Sequence, residues 1–353
     1  MSEYLVVPAE RAGIELDEFL CLHYPLAGKG FLRRQVNEGR VRVDGRHSMP
    51  AQRLRIDQVV IIEFDEEEAP RPPQGQGTEL PVLYEDEQLM LIDKPPGIAV
   101  EPERWHRDAA CVSGALLELA IERAEEESEG APLGFRPRLA HRIDKDTSGL
   151  LCVAKTLENE RELRQAFASG DVHKRYLALV DGELEPPAGQ DELVIDEPLA
   201  PDARRTGRMR VHGGGKASVT RVRPVQRFRG LTLVECFPET GRTHQIRVHL
   251  ASIGFPLAVD PLYGRRDELL LSEFKRGYRP KPGRTERPLL GRLALHAAGL
   301  DLPHASPLAP FEAVEGLAIT QEGDRLQVAL EPPKDLAQTL RQLAKYSPPR
   351  RRH

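Results

Sequence analysis

A short, highly charged loop followed directly by an apolar strand is the feature that most constrains this fold. The loop, residues 141–149, reads HRIDKDTSG, and residues 150–154 (LLCVA) form an apolar run of the length expected for a buried strand. A rigid strand directly behind a loop holds the side chains of the loop in place, as a reactive group requires. Arg142 and Lys145 flank Asp144, so the loop can neutralise and orient a carboxylate. The alternative interpretation is a helix-capping loop with surface charges.

Three further segments follow the loop and combine polar side chains with strand-like patterns. They are residues 174–180 (KRYLALV), 240–249 (TGRTHQIRVH) and 293–297 (LALHA). Upstream of the loop, Leu89–Asp93 is predicted to be a buried strand that runs into a turn stiffened by Pro95 and Pro96.

Downstream, successive antiparallel strands are predicted at residues 219–225, 232–237 and 243–250. The period of two in the last strand places Arg247 on one face with Gln245 and His249, and it places His244 on the opposite face. Arg247 is therefore the preferred partner for Asp144.

In this order, the four polar segments resemble the motifs of the RluA-type pseudouridine synthases, and the loop matches their catalytic motif HR(L/I)DxxTSG. The resemblance covers residues 80–303. It implies an isomerase that converts specific uridines of RNA to pseudouridine, with large-subunit ribosomal RNA as the first expected substrate and transfer RNA as the second. It also implies an α+β fold, in which a strand-rich catalytic domain has a mixed or antiparallel central sheet. The alternatives are a catalytically silent RNA-binding or ribosome-assembly factor and, more remotely, a glycosidase or nucleoside hydrolase.

The resemblance also assigns roles to residues. Asp144 is expected to be the essential carboxylate, either attacking the sugar or base covalently or stabilising charge at the anomeric carbon; Asp146 is the competing candidate. Tyr176 would stack on the base and could shuttle a proton, and Arg247 would pair with Asp144 in preference to Arg242, which sits at a turn. The residues expected to contact the flipped-out uridine or its surroundings are Arg142, His141, Thr147, Arg242, His244 and Gln245.

Neither a metal nor an organic cofactor is expected. Five histidines lie near the motifs, but the sequence has no HExxH, and the predicted strand separates His244 and His249 onto opposite faces. Residues 213–216 (GGGK) lack both the strand-loop-helix context and the ending of a phosphate-binding loop.

The distribution of charge favours RNA as the partner, although the net charge of the chain is −5. Local potential rather than total charge governs binding to a polyanion. Between residues 204 and 229 there is no acidic residue, and the basic residues there are Arg204, Arg205, Arg208, Arg210, Lys216, Arg221, Arg223, Arg227 and Arg229. The alternative interpretation is a solvated arginine-rich hairpin.

Composition predicts four parts in the chain. Residues 65–79 are rich in Pro, Gly, Gln and Glu and are predicted to form a flexible linker. Residues 1–64 resemble the small α+β RNA-binding module of a small-subunit ribosomal protein (the αL motif), with Arg33, Arg34 and Arg42 among its expected phosphate contacts. Short helices are predicted at residues 16–22 and 31–36, and residues 40–45 are predicted to form a strand that enters an Asp-Gly turn. The catalytic domain is assigned to residues 80–330, including a helix at 113–127, and residues 331–353 to an amphipathic helix and a basic tail.

The remaining expectations concern the surroundings of the protein. The sequence lacks an apolar run long enough to span a membrane and a recognisable signal peptide, and its four cysteines form no CxxC pair. These features predict a cytoplasmic protein with reduced thiols. A monomer is the default expectation for its quaternary state.

Overall fold

The structure, a computed structural model, describes residues 2–70, 72–104, 106, 108–279, 283 and 285–349. The last four residues of the predicted basic tail lie outside the described residues. Contacts divide the chain into two units. Unit 1 comprises Met1–Glu79 and Glu101–Arg138, and unit 2 comprises Leu80–Val100 and Leu139–His353.

Unit 1 combines a small antiparallel sheet with helices. Its elements are β1 (Glu3–Val6), α1 (Leu16–His23), α2 (Lys29–Asn37), β2 (Val41–Val43), β3 (Arg46–His47), β4 (Val59–Ile62) and α3 (Val112–Glu127). The sheet order is β1-β4-β2-β3. Asp44 and Gly45 join β2 to β3 with φ values of 50° and 73°, which is the two-residue hairpin turn that an Asp-Gly pair favours. The two predicted helices and the predicted Asp-Gly turn are thus confirmed.

The sequence assigned α3 to the catalytic domain, and this assignment is wrong. The helix lies in unit 1, where Ala120 and Ala124 pack with Leu22 of α1 and with Leu133. The apolar stripe of the helix marks it as packed but does not say on what, because the packing partner is distant in the chain.

The predicted linker is not free of contacts. The backbone N–H groups of Gly75 and Gln76 donate to Oε1 of Glu118 at 2.7 and 3.1 Å, and the N–H of Gly77 donates to Oε2 at 3.2 Å. A Cβ on Gly114 would lie 2.1 Å from the backbone of Gln74, so only glycine permits this approach of the linker to α3. Polar composition therefore marked a segment without a core of its own, but this segment is held by hydrogen bonds to α3.

Unit 2 is built on one large mixed sheet. The strands of this unit are β5 (Val82–Glu85), β6 (Leu89–Lys94), β8 (Ser148–Ala154), β9 (His173–Asp181), β10 (Leu193–Asp196), β11 (Leu199–Pro201), β12 (Met209–Val211), β13 (Val219–Phe228), β14 (Leu231–Pro238), β15 (Leu295–Pro303), β16 (Leu317–Glu322) and β17 (Arg325–Leu330). The short strand β7 (Arg138–Leu139) has one residue in each unit. The helices of unit 2 are α4 (Leu157–Ser169), α5 (Gln245–Ser252) and α6 (Lys334–Tyr346). The main path of the sheet runs β10-β13-β14-β9-β15-β8-β6-β5, and only the β15–β8 pairing is parallel among the described strands. The predicted α+β class and mixed sheet are confirmed.

The predicted strand at residues 243–250 is wrong, because this segment forms α5. The preceding strand β14 ends at Pro238, and residues 243 and 244 form a turn in which His244 has a left-handed φ of 55°; the helix begins at Gln245. Ile246 and Leu250, one helical turn apart, enter the main core of the unit. Every residue from Gln245 to Leu250 is buried, so the alternation that suggested a strand did not reflect one exposed and one buried face.

The predicted C-terminal amphipathic helix is confirmed as α6. Leu336 and Leu343 are fully buried in the same core as β9, β14 and α5, and Leu340 packs against it. No described helix is long and apolar enough to cross a membrane.

Candidate active site

The charged loop lies at the mouth of a pocket of about 580 Å³ in unit 2. The end of α4, the first turn of α5, the start of β9, the turn after β14 and the first residue of β15 complete its lining. All nine residues that the sequence assigned to catalysis or to uridine contact line this pocket, namely Asp144, Tyr176, Arg247, His141, Arg142, Thr147, Arg242, His244 and Gln245.

Backbone contacts fix the loop at its end and within it. At its end, Gly149 has a φ of 113°, and a Cβ there would lie 2.3 Å from the carbonyl oxygen of Ala297 on β15. Within the loop, the N–H of Thr147 donates to the carbonyl of Asp144 at 3.1 Å. The glycine of the motif is therefore required by the parallel contact of β8 with β15.

Lys94, which the sequence analysis did not single out, ties the loop to the turn after β6. Its buried ammonium group donates to the carbonyl oxygens of Pro95, Ile98 and Lys145 at 2.7, 2.9 and 2.8 Å. Burial lowers the pKa of Lys94 to about 8, against the opposing charges of Asp146 and Asp144. A lysine that ends an apolar strand and precedes Pro-Pro-Gly was the available signal in the sequence.

The centre of the site is an arginine shared by two carboxylates. NH1 of Arg247 donates to Oδ2 of Asp144 at 3.2 Å, while its Nε and NH2 donate to the two oxygens of Asp260, each at 2.8 Å. Burial would lower the pKa of Arg247, but the hydrogen bonds and charge of Asp260 and the charge of Asp144 outweigh it and raise this pKa. The side chain of Asp144 keeps 21% of its surface exposed, whereas those of Arg247 and Asp260 are buried. The predicted contact is present, although the strand from which it was argued is absent.

Tyr176 lies on β9 beside this pair. It is half-buried, and burial, followed by the negative charge of Asp144, raises the pKa of its phenol. Tyr176 is therefore a protonated phenol at neutral pH, able to stack on a base and to donate a hydrogen bond.

Gln245 is a correction to the sequence analysis, which assigned it to uridine contact. Its Oε1 accepts from the hydroxyl of Thr240 and the N–H of Arg242, at 2.7 and 3.0 Å. Its Nε2 donates to the carbonyl of Val219 and the hydroxyl of Thr220, at 2.9 and 3.0 Å. The side chain amide is thus fully hydrogen-bonded inside the protein and has no capacity left for a ligand.

His141 also has partners within the protein. Its Nε2 lies 2.9 Å from the backbone nitrogen of Cys152 on β8, and its ring stacks on Phe167 with centres 4.3 Å apart. Burial, assisted by the charge of Lys174, lowers the pKa of His141 to about 3, so the ring is neutral and accepts this N–H. Arg142 and Arg242 are exposed at the mouth of the pocket, and Thr147 is buried in its lining.

Comparison with known proteins decides the family. The family described as RNA pseudouridylate synthase matches residues 88–252. The ribosomal large subunit pseudouridine synthase D of Nitrosomonas europaea is 36% identical over 314 residues, which cover 88% of this chain and 83% of that protein. The chain belongs to the RNA pseudouridine synthase family.

Further relatives agree with this assignment. The ribosomal large subunit pseudouridine synthase C of Escherichia coli is 33% identical over 311 residues, covering 85% of this chain and 88% of that protein. A structure of human RNA pseudouridylate synthase domain containing 4 has the same fold, with a TM-score of 0.50 at 21% identity, over 75% of this chain and 93% of that one. The resemblance to the RluA-type enzymes is confirmed, and the synthase is an isomerase that acts on RNA.

The arginine-rich segment of the synthase divides into two groups. Arg221, Arg223 and Arg227 pair with glutamates of neighbouring elements, at distances from 2.5 to 4.0 Å. These glutamates lie outside residues 204–229, so a count of acidic residues within that range did not include them. Arg204, Arg205, Arg210 and Lys216 are exposed, and Arg208 is half-buried.

The predicted RNA contacts in unit 1 are exposed but partly engaged. Arg33 pairs with the buried Asp17 at 2.6 Å, and Arg42 pairs with Glu63 at 3.1 Å. The guanidinium of Arg34 lies 5.7 Å from the ring centre of Phe31. Their role in RNA binding stays a prediction. No group of His, Cys, Asp and Glu suited to a metal ion occurs among the residues that the structure describes.

Proposed function

We propose that this synthase isomerises specific uridines in RNA of the large ribosomal subunit, with Asp144 as the essential carboxylate. The observation that carries the proposal is the shared arginine, which holds a partly exposed Asp144 in a pocket together with Tyr176. The ribosomal target is inferred from the ribosomal large subunit pseudouridine synthases of Nitrosomonas europaea and Escherichia coli, whose similarity covers most of this chain.

The reaction breaks the bond from ribose C1′ to N1 of uracil and forms a bond from C1′ to C5. The C5 hydrogen leaves as a proton, and N1 gains one. Asp144 would act either as a nucleophile on the sugar or base or by stabilising positive charge at C1′. In either case Arg247 keeps the carboxylate aimed, since its other two donors are fixed on Asp260.

The detached uracil must stay bound while it turns, and the pocket supplies the means. Tyr176 offers an aromatic face for stacking. Arg142, exposed at the mouth, would occupy the space left by the flipped uridine, because extrusion of a base costs a few kcal/mol that new contacts must offset. His244, Arg242 and Thr147 would contact the extruded nucleotide.

Binding of the RNA outside the pocket is assigned to two basic surfaces. One is the set Arg204, Arg205, Arg210 and Lys216, all exposed, with the half-buried Arg208, in unit 2, and the other is Arg33, Arg34 and Arg42 of unit 1. Each lost phosphate contact is expected to reduce the magnitude of the negative slope of log affinity against log salt concentration by about 1. A monomer in the cytoplasm, where ribosomal RNA is modified, completes the proposal.

The experiment is site-by-site mapping of pseudouridine by carbodiimide labelling on unmodified ribosomal and transfer RNA. Asp144→Asn is expected to abolish turnover while RNA affinity stays within a few-fold. Asp146→Asn, two residues further in the same loop, is the matched control and should retain turnover. Activity retained by Asp144→Asn but lost by Asp146→Asn would transfer the role to Asp146. A signal in transfer RNA alone would refute the ribosomal target, and RNA binding without any signal would indicate a silent RNA-binding factor.

A further inference from the structure

Tyr263 lies where the arginine hairpin, defined as residues 199–211, meets the catalytic ion pair. The guanidinium carbon of Arg208, on the hairpin, is 4.8 Å from the centre of the Tyr263 ring. The guanidinium carbon of Arg247 is 5.1 Å from the same centre. Both distances are within cation–π range. One aromatic ring therefore contacts both an arginine of the proposed RNA surface and the arginine that holds Asp144.

The hydroxyl of Tyr263 also contacts two parts of the molecule, the arginine hairpin and the pocket. Its oxygen accepts the backbone N–H of Met209, in β12 of the hairpin, at 2.8 Å, and it lies 2.9 Å from Nδ1 of His244 in the pocket. Burial lowers the pKa of His244 more than the charge of Asp144 raises it, so the ring is neutral at pH 7. The tyrosine hydrogen is then donated to Nδ1, which leaves the imidazole hydrogen on Nε2.

The loop that carries Tyr263 is organised by Asp260. Oδ1 of Asp260 accepts the N–H groups of Leu262 and Tyr263, at 2.8 and 3.1 Å, while the same carboxylate holds Arg247. The N–H of Gly264 donates to the carbonyl of Asp260 at 2.9 Å, and a Cβ on Gly264 would lie 2.6 Å from that oxygen. The turn is too tight for a side chain at this position, so the place of Tyr263 is tied to that of Arg247.

We propose that Tyr263 is a positioning residue that couples the arginine hairpin to the catalytic pair. The inference rests on the proposed function and deepens it. Contact of Arg208 with RNA and the alignment of Arg247 and His244 depend on this one side chain. The hydroxyl sets the hydrogen position on His244, and the ring keeps Arg247 in register with Asp144.

The test compares Tyr263→Phe with Tyr84→Phe. Tyr84 is a matched control because its hydroxyl also makes two hydrogen bonds, to Asp86 at 2.9 Å and from the N–H of Ala309 at 3.1 Å, but neither of these partners lines the pocket, whereas His244 does. Tyr263→Phe is expected to lower the single-turnover rate at saturating enzyme about tenfold, since orientation of the reacting groups is disturbed. Its RNA affinity should change less than threefold, and Tyr84→Phe should keep the wild-type rate. An unchanged rate for Tyr263→Phe would overturn the proposal.

Two further measurements keep the conclusion independent of one variant and of activity. Arg208→Ala should weaken RNA binding and also lower the single-turnover rate at saturating enzyme at least threefold. An unchanged rate would show that the hairpin is not coupled to the catalytic pair. Nitrogen-15 NMR of His244 should show hydrogen on Nε2 in the wild type and a mixture of tautomers in Tyr263→Phe. If the wild type modifies no RNA, the proposed function fails, and the NMR result alone decides on Tyr263: an unchanged tautomer there would overturn it.

Discussion

Replacement of Asp260 by asparagine tests the idea that a second carboxylate holds the catalytic arginine. The change keeps the shape of the side chain but removes its charge. Asp260 accepts two charge-assisted hydrogen bonds from Arg247, each 2.8 Å long, and asparagine can accept only one of them. Each such bond contributes about 1.5–3 kcal/mol; one of them is lost, and the amide nitrogen of asparagine then faces a donor of Arg247. The charge of Arg247 stays compensated by Asp144, so no unpaired buried charge is added.

The expected loss is about 3 kcal/mol in the free energy of unfolding of unit 2. For a unit of this size, that loss corresponds to a fall in Tm of about 6–12 °C. Catalysis should suffer more, because Arg247 is then fixed at one point and Asp144 loses its aim. A misplacement of about 1 Å costs about 100-fold in rate.

Urea unfolding and single-turnover pseudouridine formation measure the two effects separately. Asp335→Asn is the control, because Arg292 holds Asp335 with the same two-point geometry, at 2.6 and 2.8 Å, but 46% of the side chain of Asp335 is exposed. Its expected loss is about 1 kcal/mol or less. If Asp260→Asn has wild-type stability and rate, Arg247 is held by other contacts and the reasoning is refuted. Equal losses in the two variants would show that burial of the pair is unimportant.

Two other predictions concern the loop. Gly149→Ala should prevent accumulation of folded protein, since its Cβ would clash with the backbone of Ala297. The control Gly213→Ala places its Cβ in open space and should fold normally. A Gly149→Ala protein with the wild-type urea midpoint would contradict the close packing of β8 on β15. Because the pKa of His141 is lowered from 6.5 to about 3 in the folded state, only the unfolded chain binds its proton between these values. Stability should therefore fall as the pH falls below about 6.5, and His141→Asn should reduce this dependence. A slope equal to that of the wild type in urea titrations across this pH range would refute a neutral His141 in the folded state.

Sequence alone determined much of the sheet and the identity of the reaction. Strands β6, β8, β9, β14 and β15 are apolar runs bounded by turns or polar loops, and such runs leave few alternatives to a buried strand. The order of the motifs sufficed for the family and made Asp144 the candidate carboxylate, because both inferences depend on residue identity at fixed spacing. The pair Asp-Gly likewise determined the hairpin in unit 1, since both turn residues need a positive φ.

Tertiary structure decided the features that depend on distant partners. Residues 245–250 alternate as a strand would, yet they form α5. The segment is buried on all sides, so it lacks the contrast between an exposed and a buried face from which the period of a segment is read. Asp260 and Tyr263 carry no motif of their own, and they act only through Arg247 and His244, 13 and 19 residues earlier in the chain. Gln245 lost its assigned role because its amide is fully bonded, and two of its four partners, Val219 and Thr220, lie on the distant strand β13. Spacing along the chain identifies which side chains can react, but the hydrogen-bond partners that orient them are set only when the chain has folded.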